Sequence, residues 1–263
     1  MADYCGDPVN IEIQKRIHAR RGWIAATPTV ANGGRVLNIV DPDGLGWAQV
    51  RDIVAEDRLA AFVAQDQETF IPRLTAELGE EYDYPVWQVY RGSADDVGAA
   101  CLDLLAQVML PKGWRIETLF HPDEEQISQV QDLNLATGVA PYPAYYSAGS
   151  VVGCATTVLW SDTGEVVGSA SVVDKFHPDG LLGGSVFKGS TCVLPAHRGR
   201  SLGKLINAHN LLGSLKVFGW AHVIAQVQPS NIASQKTIGT CGLTPLEGSV
   251  TVGVLPSGTV FTR

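Results

Sequence analysis

The chain has 263 residues, 45% of them hydrophobic and 17% charged, with a formal net charge of −8. It is long for one ordinary domain, short for three, and large enough to bury a substantial core. The acidic balance excludes a general nucleic-acid binder, whose footprint is basic, while remaining compatible with an amine-bearing acceptor.

The five cysteines, Cys5, Cys101, Cys154, Cys192 and Cys241, are scattered without a C-x-x-C pair, which predicts reduced thiols in a cytoplasmic protein. The six histidines show no H-E-x-x-H or Cys/His ligand spacing, so no metal is expected. The first thirty residues carry early charges and no apolar core segment, so no signal peptide is expected. The longest apolar run, near Val151–Trp160, is too short and too broken to span a bilayer, and no membrane partner is expected.

In chain order, Ile11 to Arg21 reads as a short basic helix, Pro28 to Gly34 as loop and Arg35 to Val40 as a strand. Asp41-Pro42-Asp43-Gly44 is a turn signal. Trp47–Glu56 and Leu59–Leu78 have helical spacing, with Pro72 expected to break or kink the second. Tyr84–Tyr90 reads as a strand. Ser93–Val108 reads as a helix capped by Ser93 ahead of Asp95 and Asp96. Pro111-Lys112-Gly113 marks a boundary between a region of mixed helices and strands, residues 1–112, and a second unit, residues 113–263.

In that second unit Arg115–Phe120 is strand-like, and Pro122–Leu135 opens with three acids, as a helix should. Ala136–Gly149 is rich in Gly, Pro and Tyr. Val151–Trp160 and Val166–Phe176, joined by Ser161-Asp162-Thr163-Gly164, predict a hairpin. His177–Gly184 is a Gly-rich loop. An apolar run, Val186–Leu194, interrupted by polar residues and Gly189, ends at Pro195, which cannot donate to a sheet. Ala221–Val227 is a further short strand, and Gly248–Val260 supplies closing strands.

Between the run ending at Leu194 and the helical pattern of Leu202, Leu205, Ile206, Ala208, Leu212 and Leu215 lies a small basic loop: Arg198, Gly199, Arg200, Ser201, Leu202, Gly203, Lys204. Strand, basic loop, helix is the layout of an anion site, because the first helical amides lack internal partners and that end of the helix is positive. A Walker A loop needs four residues between its glycines and a following hydroxyl. Here three residues separate Gly199 from Gly203, and Leu205 follows Lys204. The dinucleotide pattern G-x-G-x-x-G is also absent.

The loop resembles the Q/R-x-x-G-x-G/A pyrophosphate loop of the GNAT acyltransferase superfamily, with Arg198 first, Gly203 last and Ser201 where the family usually has glycine. Asn231-Ile232-Ala233-Ser234, followed by Cys241-Gly242-Leu243, resembles the family's N-x-x-S…G-F ending, with Leu243 for the usual aromatic. The resemblance implies a mixed α/β (α+β) fold: a mostly antiparallel sheet with a splayed central strand pair, flanked by helices, preceded by an N-terminal α/β region. It also implies acetyl-CoA as co-substrate. Backbone groups of Thr191, Cys192 and Val193 would hold the pantetheine arm, Arg198 through Lys204 the pyrophosphate, and Asn231 the distal arm.

A tyrosine acid carried by many members is replaced by Ile238, which leaves Ser234 to protonate the thiolate. Ser234 reads equally as a helix-start serine bonding backbone amides. No base is singled out. Asp174 and His177 are the candidates, ahead of Asp179 and Glu117, and many members work by proximity alone. Tyr142, Tyr145 and Tyr146 lie where the family builds its acceptor pocket, or they simply pack the loop.

The expected activity is N-acetyl transfer to a primary amine, of a small molecule or a protein N-terminus, and a homodimer is compatible with it. The alternative is a non-catalytic acyl-CoA-binding regulatory module. Residues 1–112 lack any R-x-x-G-x-G loop and are read either as a degenerate first copy of the same fold or as an unrelated region.

Overall fold

The computed structural model describes residues 3–259. Asp7 accepts from the amides of Val9 and Asn10, and with Pro8 in the first turn it starts α1 (Pro8–Ala19); α2 (Arg21–Ala25) follows directly. Strands β1 (Val30–Asn32) and β2 (Leu37–Ile39) form a short antiparallel hairpin. The expected loop at Pro28–Gly34 therefore holds a three-residue buried strand, too short to announce itself by alternation. Asp41 caps the single turn α3 (Pro42–Leu45), and α4 (Trp47–Asp57) follows.

The long helix expected over Leu59–Leu78 is two elements, β3 (Ala60–Asp66) and α5 (Gln67–Leu78). Ala60, Ala61, Phe62 and Val63 are all buried, so this strand has no polar alternation to mark it. Asp66 starts α5 by accepting from Thr69 N at 2.9 Å, and Pro72 sits inside that helix without ending it. Next come β4 (Tyr82–Asp83), β5 (Val86–Ser93) and α6 (Ala94–Gln107), the last capped by Ser93.

The second part follows the expected order closely: β6 (Arg115–Leu119), α7 (Glu124–Ala136) with Asp123 and Gln126 as a capping box, α8 (Ala144–Ser147), β7 (Gly153–Trp160) and β8 (Val166–Asp174). Then come β9 (Ser185–Val193), α9 (Leu202–Phe218), β10 (His222–Val227), α10 (Ile232–Thr240) and β11 (Thr244–Pro256). The closing strands expected over Gly248–Val260 are one long strand that begins earlier; Val260 lies outside the described residues.

Among the described residues the strands form one sheet in the order β1-β2-β3-β11-β5-β10-β9-β8-β7-β6, with β4 beside β11. Its pairing has an internal echo. Beyond the antiparallel pair β1/β2, the parallel pair β2/β3 is bridged by α4, and α5 leads on to β5. Beyond the antiparallel pair β8/β9, the parallel pair β9/β10 is bridged by α9, and α10 leads on to β11. The last strand of each series crosses over: β5 pairs with β10 and β11 with β3, while β5 and β11 pair with each other at the centre.

The core divides around this crossing. Phe62, Leu74, Val252 and Val254 pack with α1 and α4 on one side. Val97, Cys101, Leu211, Val223 and Leu243 pack between α6, α9 and α10 on the other. The crossing gives a test. Residues 113–263 produced alone lack β5, leaving the edges of β10 and β11 that it covers open. They are expected to show no sharp thermal transition by circular dichroism, and a transition matching the full chain's would contradict the shared centre.

Candidate active site

The site begins with a missing set of hydrogen bonds. β9 and β10 pair in parallel only from Ser185–Lys188 to His222–Ala225. Beyond those residues both strands continue, and each stays paired on its outer edge, β9 to Val193 with β8 and β10 to Val227 with β5. The result is a wedge in the middle of the sheet, edged by main-chain groups facing no strand.

A β-bulge sits where the wedge opens. Between Ser169 and Ser171, β8 advances two residues while β9 advances three, from Gly189 to Cys192. Ser190 carries the strain, with φ 51°. Because of the extra residue, Lys188 and Thr191 share a face, which positions three apart in a regular strand do not. Lys188 Nζ donates to Thr191 Oγ1, which donates to Asn207 Oδ1 at 3.0 Å, and Asn207 Nδ2 donates to Gly203 O at 2.7 Å. This buried polar line runs from the closed end of the wedge to the first turn of α9. On the opposite face, Cys192 Sγ donates to Asn134 Oδ1 at 3.1 Å, tying β9 to α7. Burial pulls the Lys188 ammonium from 10.5 down to about 8, with the Cys241 and Cys192 thiols opposing.

The basic loop closes the open end. Gly199 has φ 77° and Ser201 φ 58°, so Ser201 adopts the left-handed conformation that favours glycine. Ser201 also stands at the N-cap of α9 with no side-chain cap, and the first helical bond is Leu205 N to Ser201 O at 3.1 Å. The amides of Leu202, Gly203 and Lys204 therefore lack helical acceptors. A Cβ on Gly199 meets nothing within 4 Å; on Gly203 its nearest neighbours are Thr237 Cγ2 at 3.9 Å and Val193 Cγ2 at 4.0 Å. Arg198 turns back, its Nε donating to Val193 O at 2.9 Å, and Arg200 lies over Trp114 at 5.1 Å. An uncapped helix start, two left-handed residues and three cations suit a pyrophosphate, and the wedge edge suits an extended arm bearing amides.

The remaining sequence candidates separate. Asn231 caps α10 by accepting from Ser234 N at 3.1 Å, so Ser234 is not the cap, and its hydroxyl takes no part in that bond. Thr237, one turn on, is the residue facing Gly203. Asp174 lies one residue beyond the Val173–Phe187 pair, alongside the paired segment, exposed, its Cβ and the Phe218 ring at the C-terminal end of α9 flanking Gly153. His177 Nδ1 accepts from Asp179 N at 3.1 Å within its own loop. Of the three tyrosines, only Tyr142 faces β9: its hydroxyl lies 3.3 Å from the Cβ position of Gly189. Tyr145 and Tyr146 instead hold the N-terminal region, donating to Gln14 O at 3.4 Å and Asn32 O at 2.8 Å.

Sequence reasoning missed Lys188 and Asn207. The signal for the first was present, a lysine inside an otherwise β-favouring run. Asn207 reads as one more helical residue until its partners are seen. Two surface clefts lie away from the wedge, one of about 510 Å³ beside Arg115, Asp123 and Trp160, the other of about 390 Å³ beside Arg91, Asp96 and His222. Among the described residues no group of three His, Cys, Asp or Glu side chains is placed to hold a metal ion, and no helix is long and apolar enough to cross a membrane.

The fold recurs in solved structures. A tandem GNAT protein from the clavulanic acid biosynthesis pathway superposes with TM-score 0.57 at 18% identity, covering 88% of this chain and 78% of its own. The fold is that of the GNAT N-acetyltransferases. A GCN5-related N-acetyltransferase from Kribbella flavida gives TM-score 0.57 at 13% identity over 94% of this chain and 96% of its own. A Drosophila protein gives 0.60 at 15% over 95% and 90%. No protein-family model and no curated sequence matches the chain. The GNAT order of elements runs through residues 115–256, and β5 stands inside its sheet.

Lys188 gives the site a measurable signature. Below pH 8 it is protonated folded and unfolded, and its burial penalty is fully present. Between pH 8 and 10.5 the unfolded chain holds more protons, so stability rises with pH. Lys188→Met should therefore melt above wild type at pH 7, by about 1–3 kcal/mol in stability, with the gap narrowing towards pH 10. Scanning fluorimetry at both pH values reads it.

Proposed function

We propose that the protein is an acetyl-CoA-dependent N-acetyltransferase that moves an acetyl group to a primary amine, of a small molecule or a protein N-terminus, by direct transfer in a ternary complex. The reading is carried by the unpaired wedge between β9 and β10 ending at an uncapped, basic helix start. Bound acetyl-CoA supplies an activated acetyl thioester. The amides of Leu202, Gly203 and Lys204, with Arg198, Arg200 and Lys204 charges, bind its pyrophosphate. Main-chain groups of Thr191, Cys192 and Val193 orient the arm along the open edge, and Asn231 borders its far side.

Transfer asks three things of the chain. A main-chain N–H, that of Val193 in our assignment, polarises the thioester carbonyl. The acceptor amine must be neutral to bond the acetyl carbon, and as the C–S bond breaks it loses a proton to solvent. Ser234 Oγ passes a proton to the departing sulfur and regains one from solvent. Lys188 Nζ, pulled down to about 8 by burial, places an adjustable charge at the closed end. Asp174 and His177 are not assigned as the base, because Asp174 stands one residue beyond the Val173–Phe187 pair, alongside the paired part of β9, and His177 staples its own loop.

We propose further that residues 1–112 are a second, degenerate GNAT-like half. Its β2/β3 pair is bridged as β9/β10 is, but the loop after β2 carries Asp41 and Asp43 where the other carries arginines. Acids there repel a phosphate, so one acetyl-CoA binds per chain.

Acetyl-CoA at a hundred times its Kd should raise stability by about 2.7 kcal/mol, seen as a higher melting temperature absent with ATP or NADH. Calorimetry should give one site per chain. A Cβ at Gly203 meets nothing closer than 3.9 Å, so Gly203→Val should fold yet bind acetyl-CoA at least about a hundredfold more weakly. Ser234→Ala should lower kcat roughly 10²-fold or more, while Asp174→Ala stays near wild type. Acetyl-CoA binding without thiol release for any amine would favour the regulatory module instead.

A further inference from the structure

On the face of the sheet opposite α9, two cations are held without a counter-ion. Lys175, one residue past β8, is only 9% exposed. Its Nζ donates to Asn38 Oδ1 at 2.6 Å and lies 3.7 Å from the centre of the Phe187 ring. Arg35, in the turn between β1 and β2, donates to Ala140 O at 2.5 Å and lies 5.0 Å from the centre of the Tyr142 ring. Among the described residues no ion pair includes either one. The contrast within the chain is plain, since Arg20 sits on the fully buried carboxylate of Asp57. Burial, with Arg35 adding repulsion, pulls the Lys175 ammonium down to about 7. Burying Lys175 beside the half-buried Arg35 with no acid is costly, and an arriving anion relieves both.

The cluster adjoins the wedge. Phe187 and Gly189 lie on the same face of β9, and Gly189 is the first residue past the paired segment. A side chain at Gly189 would meet the Phe187 ring at 2.8 Å and the Tyr142 hydroxyl at 3.3 Å, so only glycine fits between the two. The turn carrying Arg35 is pressed onto the same tyrosine: a Cβ on Gly34 would stand 3.0 Å from the Tyr142 ring. Asn38 and Arg35 come from the N-terminal region, Lys175 and Tyr142 from the C-terminal one.

We propose that Arg35, Asn38 and Lys175 bind a carboxylate of the acceptor, so that the substrate is a small amine that also bears an acid, of the amino-acid class. This rests on the acetyl-transfer reading above. It assigns the N-terminal region a part in substrate choice, and it disfavours polyamines, whose charges the cluster repels although the chain as a whole is acidic. The amine then lies towards Gly189, with its carboxylate on the cations.

The experiment is calorimetric titration of the full chain with glycine, L-alanine and L-glutamate, against glycinamide, L-alaninamide and putrescine, with inorganic phosphate as a further probe. Acetyl transfer to the same amines is measured in parallel. For wild type the acids should bind roughly tenfold or more tighter than the amides. Arg35→Gln and Lys175→Met should each erase that preference. Both should keep the melting shift with acetyl-CoA, which shows that they are folded and that the cofactor loop is intact. Equal binding of acids and amides by wild type overturns the proposal, as does binding of phosphate but of no amino acid. A missing acetyl-CoA shift would sink the transfer reading alone, because carboxylate binding is scored without it.

Discussion

Pairing between β9 and β10 stops where an extra residue enters β9 at Ser190, and the functional geometry follows from that interruption. An interior strand edge left unpaired would ordinarily be a defect, since buried main-chain groups demand partners. Here the defect is held open. The bulge turns Thr191 onto the same face as Lys188, Asn207 fixes Thr191 to α9, and Asn134 fixes Cys192 to α7. The wedge is thus braced from both faces.

The second constraint is the pair β5/β11 at the centre. Each of these strands follows one β-α-β series and hydrogen-bonds to the other, so neither region owns a whole sheet. The N-terminal region is thereby fixed against the C-terminal one. Tyr145 and Tyr146 complete the attachment through Gln14 and Asn32, which places the β1/β2 turn over Tyr142.

Much of the second region was legible in the sequence because its signals are local. Pro195 ends a strand, Asp123 starts a helix, and a four-residue turn joins β7 to β8. The basic loop was legible for the same reason, down to the strained position taken by Ser201. What stayed hidden depends on distance in space. The strand at Ala60–Val63 looks helical because burial on both faces removes its alternation. Tyr145 and Tyr146 resembled pocket residues because the partners of their hydroxyls lie more than a hundred positions away. Arg35, Asn38 and Lys175 have no common pattern at all; only the crossing of strands brings them together.

The same crossing governs how the chain can be made. The slot between β3 and β5 is filled by residues 244–256, so a chain emerging from the ribosome displays two unsatisfied strand edges until β11 has been made. Contacts of such long sequence separation form slowly, and exposed edges invite pairing with other chains. The buried Ala60–Val63 segment is among the surfaces most exposed in that interval. Its protection comes only with β11, which makes the interval before that strand is made, rather than the stability of the finished sheet, the hazardous stage for this molecule.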